Sequence, residues 1–144
     1  MAIDREPRAR RLSWAGSALV GCSVVGGMVS VVSGVNTWGN AWTSEATLAA
    51  PWPMMLVQGL STVAAVGPRR RPAIAGSIVL GLSAAVAGVS GFFDGQLGRS
   101  DLGAGYVSMQ WVYVVVALGT SALAASRLRQ LTKSRVSQEL RESE

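Results

Sequence analysis

The sequence predicts an all-α integral membrane four-helix bundle. Three observations predict it: the length of the uncharged runs, the one-sided placement of the basic residues, and a hairpin-sized pattern that returns after sixty residues. Charged residues make up only 15% of the 144, against 49% apolar. They are segregated, with 33 uncharged residues between Arg11 and Glu45, 23 between Glu45 and Arg69, 22 between Arg71 and Asp94, and 25 between Asp101 and Arg127. A hydrocarbon core of roughly 30 Å needs about 20 helical residues at about 1.5 Å each, so every run is long enough to cross. Frequent Val, Ser and Gly would also allow buried strands, but these runs exceed strand length several-fold. Helix moreover satisfies its own backbone groups inside lipid.

The first span reads Leu12 to Val35. Arg5, Arg8, Arg10 and Arg11 precede it, as in a secretory signal, but a signal core stops after roughly 7 to 15 residues at an A-x-A-like site. This run continues, so an uncleaved anchor is expected. Ala18, Cys22, Gly26, Ser30 and Gly34 recur at every fourth position, giving one shallow face. Lipid tails provide no hydrophobic drive between helices, and close approach along such small-residue faces is the main attraction available. The following loop, VNTWGNAWTSEATLAAPWP, carries Trp38, Trp42 and Trp52, which suit headgroup depth with their N–H groups wet.

The second span reads Thr47 to Val66, with Pro51 and Pro53 suited to a first helical turn, where missing amide donors cost little. The turn GPRRRP leads to a third span at Ala73 to Phe93, where Ala73, Ser77, Gly81 and Ala85 repeat the every-fourth spacing. A bulky residue at Gly26 or Gly81 is expected to separate helices. The loop FFDGQLGRSDLGAG is a glycine-rich reversal in which Asp94 and Asp101 bracket Arg99, a candidate outer patch. The fourth span reads Gly105 to Ser126, and the tail RLRQLTKSRVSQELRESE is expected to prolong its helix.

Twelve of the thirteen basic residues lie before the first span, between the second and third, or after the fourth, and only Arg99 lies opposite. The positive-inside rule then places both termini and the GPRRRP turn in the cytoplasm of a multi-pass plasma (inner) membrane protein. The expected organisation is a basic cytoplasmic amino terminus at 1–11, a transmembrane hairpin at 12–66, a basic cytoplasmic turn at 67–72, a second hairpin at 73–126 and a cytoplasmic tail at 127–144. Topology alone explains the net charge of +5, so nucleic acid is not an expected partner. Anionic lipid headgroups at the cytoplasmic face are, each nearby Lys or Arg contributing about 1 kcal/mol.

At a constant offset, Arg10, Arg11, Ala15, Gly16, Ser17, Gly21, Ser23, Val29 and Ser30 meet identical residues at 70, 71, 75, 76, 77, 81, 83, 89 and 90. Gly59, Ser61, Ala64, Ala65 and Arg69 recur at 119, 121, 124, 125 and 129. Two tandem helical hairpins entering from one side are expected, as parallel repeats about an axis along the membrane normal.

Chemistry is sparse. With a single Cys and no His, neither an internal disulfide nor the commonest metal and haem ligand is on offer, and no nucleophile and base pair accompanies the loop carboxylates. No cofactor, metal or catalytic residue is expected. No span contains a charge, so a carboxylate or imidazole proton relay is excluded. The polar residues left at depth are Gln58 and Gln110, expected to hydrogen-bond between helices or, facing a hydrated path, to contact a small polar solute. A four-span layout assigns no activity by itself. Two functions remain: a structural or accessory subunit that binds another membrane protein or itself, with Cys22, Gly26, Ser30, Gly34, Ser77, Gly81 and Ala85 in helix packing, or a protomer of an oligomeric small transporter or channel.

Overall fold

The computed structural model describes residues 7–43, 45, 46, 48–93 and 102–142, with side chains of the last helix as far as Lys133. Four helices follow in order, α1 (Pro7–Val32), α2 (Trp52–Ala65), α3 (Arg70–Phe93) and α4 (Ala104–Glu142). Each packs on its neighbours in sequence, and α1 against α4 closes the ring, giving a four-helix bundle in which α1 and α2 share the least extensive interface. Three helical stretches are long and apolar enough to cross a membrane: Pro7–Val32, Arg70–Phe93 and Ala104–Lys133. Their outward faces match that character, with Trp14, Val32, Leu82, Phe93 and Val115 all well exposed.

Local sequence sets the helix ends. Pro7 opens α1, where a fixed φ and an absent donor are harmless. Gly34 closes it at φ 71°: its N–H donates to Val31 O at 3.0 Å and that of Val35 to Ser30 O at 3.0 Å, the paired bonds of a Schellman ending. Gly34 therefore lies beyond the helix and shapes its end. The second apolar run departs from the expected Thr47 start. Helix begins only at Trp52, behind Pro51, because prolines at 51 and 53 in a helix begun at Thr47 would clash with carbonyls four residues earlier. At 14 residues α2 is about 21 Å long, and Leu48, Ala49 and Ala50 are buried without being helical. At the other extreme α4 runs 39 residues, through the basic tail to Glu142.

Alanine and small polar residues dominate the interior. Leu19, Ala84, Ala87, Tyr113 and Ala117 form one core cluster, with Cys22, Met54 and Val116 packed on it. A second, nearer the basic end, joins Leu12, Ala65, Leu80 and Ala124. The buried hydroxyls bond mostly to their own helices: Ser23 to Leu19 O at 3.2 Å, Ser30 to Gly27 O at 2.8 Å, Thr62 to Gln58 O at 2.7 Å and Ser77 to Ala73 O at 2.7 Å. Such back-bonding satisfies the group without specifying a partner helix. Thr120 does both, its Oγ1 lying 2.7 Å from Val116 O and 3.3 Å from Ala15 O on α1. At the basic end Arg70 Nη2 donates to Leu131 O at 2.7 Å, tying the start of α3 to the tail of α4.

Candidate functional site

The segment between α1 and α2 folds back onto the bundle and builds its own polar frame. Asn40 Oδ1 accepts from Thr37 N at 2.7 Å and Thr37 Oγ1 at 3.1 Å, and Asn40 Nδ2 donates to Glu45 Oε2 at 3.2 Å. Asn36 Nδ2 donates to Glu45 O at 3.2 Å. These bonds hold Trp42 against α1, where its Nε1 donates to Ser23 O at 3.3 Å. The indole lies directly over Gly27, where any Cβ would overlap it, while the carbonyl of Leu48 covers Gly26 in the same way. Trp38 and Trp52 remain mostly exposed, so the three tryptophans divide into two outward-facing rings and one that docks the loop. Gly27→Leu is expected to undock residues 33–51: limited proteolysis there should accelerate severalfold while helix content by circular dichroism stays constant.

Beneath this segment lies a pocket of about 130 Å³. Ala46, Leu48, Ala49, Ala50, Pro51 and Met54 form its near wall, Ala87, Ser90 and Gly91 of α3 and Gln110 and Tyr113 of α4 the far wall. Gln110, 2% exposed, donates Nε2 to Gly91 O at 3.1 Å. Its Oε1 is buried without a hydrogen-bond partner. Gln58 is wholly buried on α2, and neither its Nε2 nor its Oε1 has a partner, so the two glutamines do not bond to each other. An unpaired buried amide costs roughly 1 to 3 kcal/mol.

The small residues singled out in the sequence have varied surroundings. Ser30 and Ser77 are buried, Gly26 is buried beneath Leu48, and Cys22 and Ala85 are half-buried. A Cβ at Gly81 would lie 3.4 Å from Ala124 Cβ, an ordinary contact. The tightest approach of a helix glycine to another helix's backbone is at Gly76, where a Cβ would lie 2.5 Å from Ala65 N and 2.7 Å from Ser61 O. Gly88 and Gly91 face Leu118 and Val114 of α4 at 2.8 and 2.7 Å by the same measure. The patch of Asp94, Arg99 and Asp101 lies outside the described residues. Among the described residues no group of three His, Cys, Asp or Glu side chains gathers as a metal site.

Two surface grooves flank the basic half. One, of about 540 Å³, runs between α1 and α2, lined by Ser13, Gly16, Ser17, Val20, Gly59, Thr62, Val63 and Val66. The other, about 430 Å³, joins Arg8 to Ala122, Ala125, Ser126, Arg129, Gln130 and Lys133. Neither the docking of Trp42 nor the α1–α2 groove was signalled by periodicity; the adjacent Gly26 and Gly27 were the one available hint, since a glycine pair leaves a notch on a helix. Compared with protein-family models, curated proteins and solved structures, the chain matches none.

Proposed function

We propose that this is a small polytopic membrane protein acting as a structural or accessory subunit, which binds another membrane protein or a second copy of itself along the α1–α2 groove. The observation that supports the reading is Gly59. Gly16, Gly26, Gly27, Gly76, Gly88 and Gly91 are each opposed closely within the chain, whereas a Cβ at Gly59 would meet nothing within 4 Å. Gly59 sits in the groove with Ser13, Ser17 and Thr62, a small-residue surface with hydroxyls of the kind transmembrane helices pack on. The groove also lies at the loosest interface of the bundle, so an added helix there completes a layer that α1 and α2 leave open. In this reading both termini are cytoplasmic, the membrane is the plasma (inner) membrane, and α2 with the buried 48–50 segment makes the second pass. Irregular backbone at membrane depth is tolerated where protein covers it, and here α1 does. Arg8, Arg129 and Lys133 then meet anionic headgroups. The reading contains no catalytic step, no cofactor and no nucleic acid.

Mild-detergent purification with mass spectrometry tests it. A stoichiometric companion, or a homo-oligomer, is expected from the wild type and should be lost in Gly59→Leu, while thermal stability in detergent changes by less than about 0.5 kcal/mol, as for surface substitutions. A wild type that purifies alone as a monomer sinks the proposal.

A second reading, a protomer of an oligomeric transporter or channel for a small solute, is favoured by one observation, the wholly buried and unpartnered amide of Gln58. Its mark would be solute flux in liposomes.

A further inference from the structure

We infer that the groove between the start of α1 and the basic end of α4 is a binding site for one anionic phospholipid with a hydroxylated headgroup, of which phosphatidylglycerol is the simplest. Such a site deepens the headgroup contact described above and rests on the membrane placement of the chain. It is independent of any partner in the α1–α2 groove, whose lining shares no residue with it.

Charge defines the ligand first. Three cations converge on the groove, Arg8 from α1 and Arg129 and Lys133 from α4. The two on α4 stand three and seven residues beyond Ser126 on one face, and helical side chains lean towards the amino terminus, here back towards the apolar run. Among the described residues the acidic side chain is Glu45, which is bonded to Asn40 in the α1–α2 segment, so the groove has no described counter-charge. A phosphate ester supplies one, and arginine takes phosphate oxygens in a bidentate fork. Ser126 narrows the headgroup. Its hydroxyl donates to Leu123 O at 2.8 Å, so towards a ligand it offers only an acceptor, which suits a headgroup hydroxyl. An ammonium would also donate to it, but among three cations it is repelled.

Shape accounts for the tail. The groove, about 430 Å³, includes Ala122 and Ala125 at its apolar end. Beyond them the same outward face of α4 continues through Gly119, where a Cβ would meet nothing within 4 Å, to Val115, which is 66% exposed. From Ser126 to Val115 the helix covers about 16 Å, close to one leaflet of a hydrocarbon core of roughly 30 Å. An acyl chain can therefore lie along this shallow trough while its phosphate stands among the cations. A soluble phosphate ester would leave the trough empty.

Native mass spectrometry of the full chain released from nanodiscs tests the site. With phosphatidylglycerol and phosphatidylethanolamine at equal levels in a phosphatidylcholine bilayer, one phosphatidylglycerol per chain is expected to stay bound, preferred about tenfold or more over phosphatidylethanolamine. Arg8→Gln with Arg129→Gln should cut retention about thirtyfold. Arg69→Gln with Arg71→Gln, exposed cations outside the groove, should change it less than about twofold. Ala125→Phe, which fills the trough without altering charge, should abolish retention, and excess glycerol 3-phosphate should not displace the lipid. Equal losses in the two double variants would show attraction to net charge alone and overturn the site. Displacement by glycerol 3-phosphate, which marks a soluble phosphate ester as the ligand, does the same. So does equal retention of the two lipids, the result expected if Asp4, Glu6 or Glu139 neutralises the cluster. A chain that stays in water without detergent defeats the membrane placement and the site with it, whereas one that enters nanodiscs and holds both lipids alike defeats the site alone. Should the Arg8 and Arg129 double variant fail to reconstitute, the wild-type lipid ratio and Ala125→Phe decide the matter between them.

Discussion

Gly76→Leu is expected to be the most damaging single substitution in the bundle, lowering stability in mild detergent by about 3 kcal/mol or more, the upper end for overpacking. The reason is what the new side chain would meet. A Cβ at Gly76 would lie 2.5 Å from Ala65 N, 2.7 Å from Ser61 O and 2.8 Å from Ala64 Cβ, and backbone atoms of a neighbouring helix cannot rotate aside. Relief requires α2 and α3 to part along the interface that positions Ser61, Thr62 and Ala65. At Gly16, sixty residues earlier, the three nearest atoms all belong to the Thr62 side chain, which yields more readily than backbone, so Gly16→Leu should cost less. Gly81→Leu, with Ala124 Cβ at 3.4 Å, should be milder than Gly76→Leu, and Gly21→Leu, facing open space, milder still. Thermal unfolding of the four variants measures the series. Equal losses at Gly76 and Gly21 would show that this packing is wrong.

Gln58→Met is expected to act in the opposite direction. The two side chains are similar in volume, and the wild-type amide is wholly buried with neither polar atom bonded. Replacing it by a thioether removes an unpaired donor and acceptor, so stability should rise by roughly 1 to 3 kcal/mol. Chemical denaturation in detergent reads this directly. A fall in stability would mean that the amide is hydrogen-bonded in solution, by water reaching the bundle interior. That outcome would shift the functional reading towards solute transport, where Gln58→Met should then also abolish liposome flux.

Helical character was legible in the sequence because it depends on local features: uncharged runs too long for strands, prolines confined to first turns, and glycine or basic residues at the ends. Three of the expected spans correspond to helices that are long and apolar enough to cross a membrane. The second does not, and the cause was also local. Pro51 and Pro53 stand four and six residues beyond Thr47, and this spacing moves the helix start to Trp52. Hydropathy averaged over the run does not register it.

The candidate sites were less accessible. Gln58 and Gln110 stand out in sequence as polar residues in apolar runs, but their environments differ in ways that no spacing encodes, one bonded to Gly91 O through Nε2 and the other bonded to nothing. The every-fourth stripes gave a plausible face without its rotation. In α1 the buried line runs through Leu12, Gly16, Leu19, Ser23 and Gly26 to Ser30, while Ala18 faces outward and Gly34 has left the helix.

By itself, then, the sequence determined the class of element and the confinement of charge to the segments between the apolar runs, since helix in an apolar setting follows from backbone hydrogen bonding and run length alone. Which faces meet was settled only in the tertiary structure. Gly16 and Gly76, sixty residues apart, both lie against α2, one on the Thr62 side chain and the other on the backbone at Ser61 and Ala65. A glycine records that something can come close but carries no information on what does. That choice is made by the helices, and by a loop whose Trp42 fills the notch at Gly27, packing together as a whole.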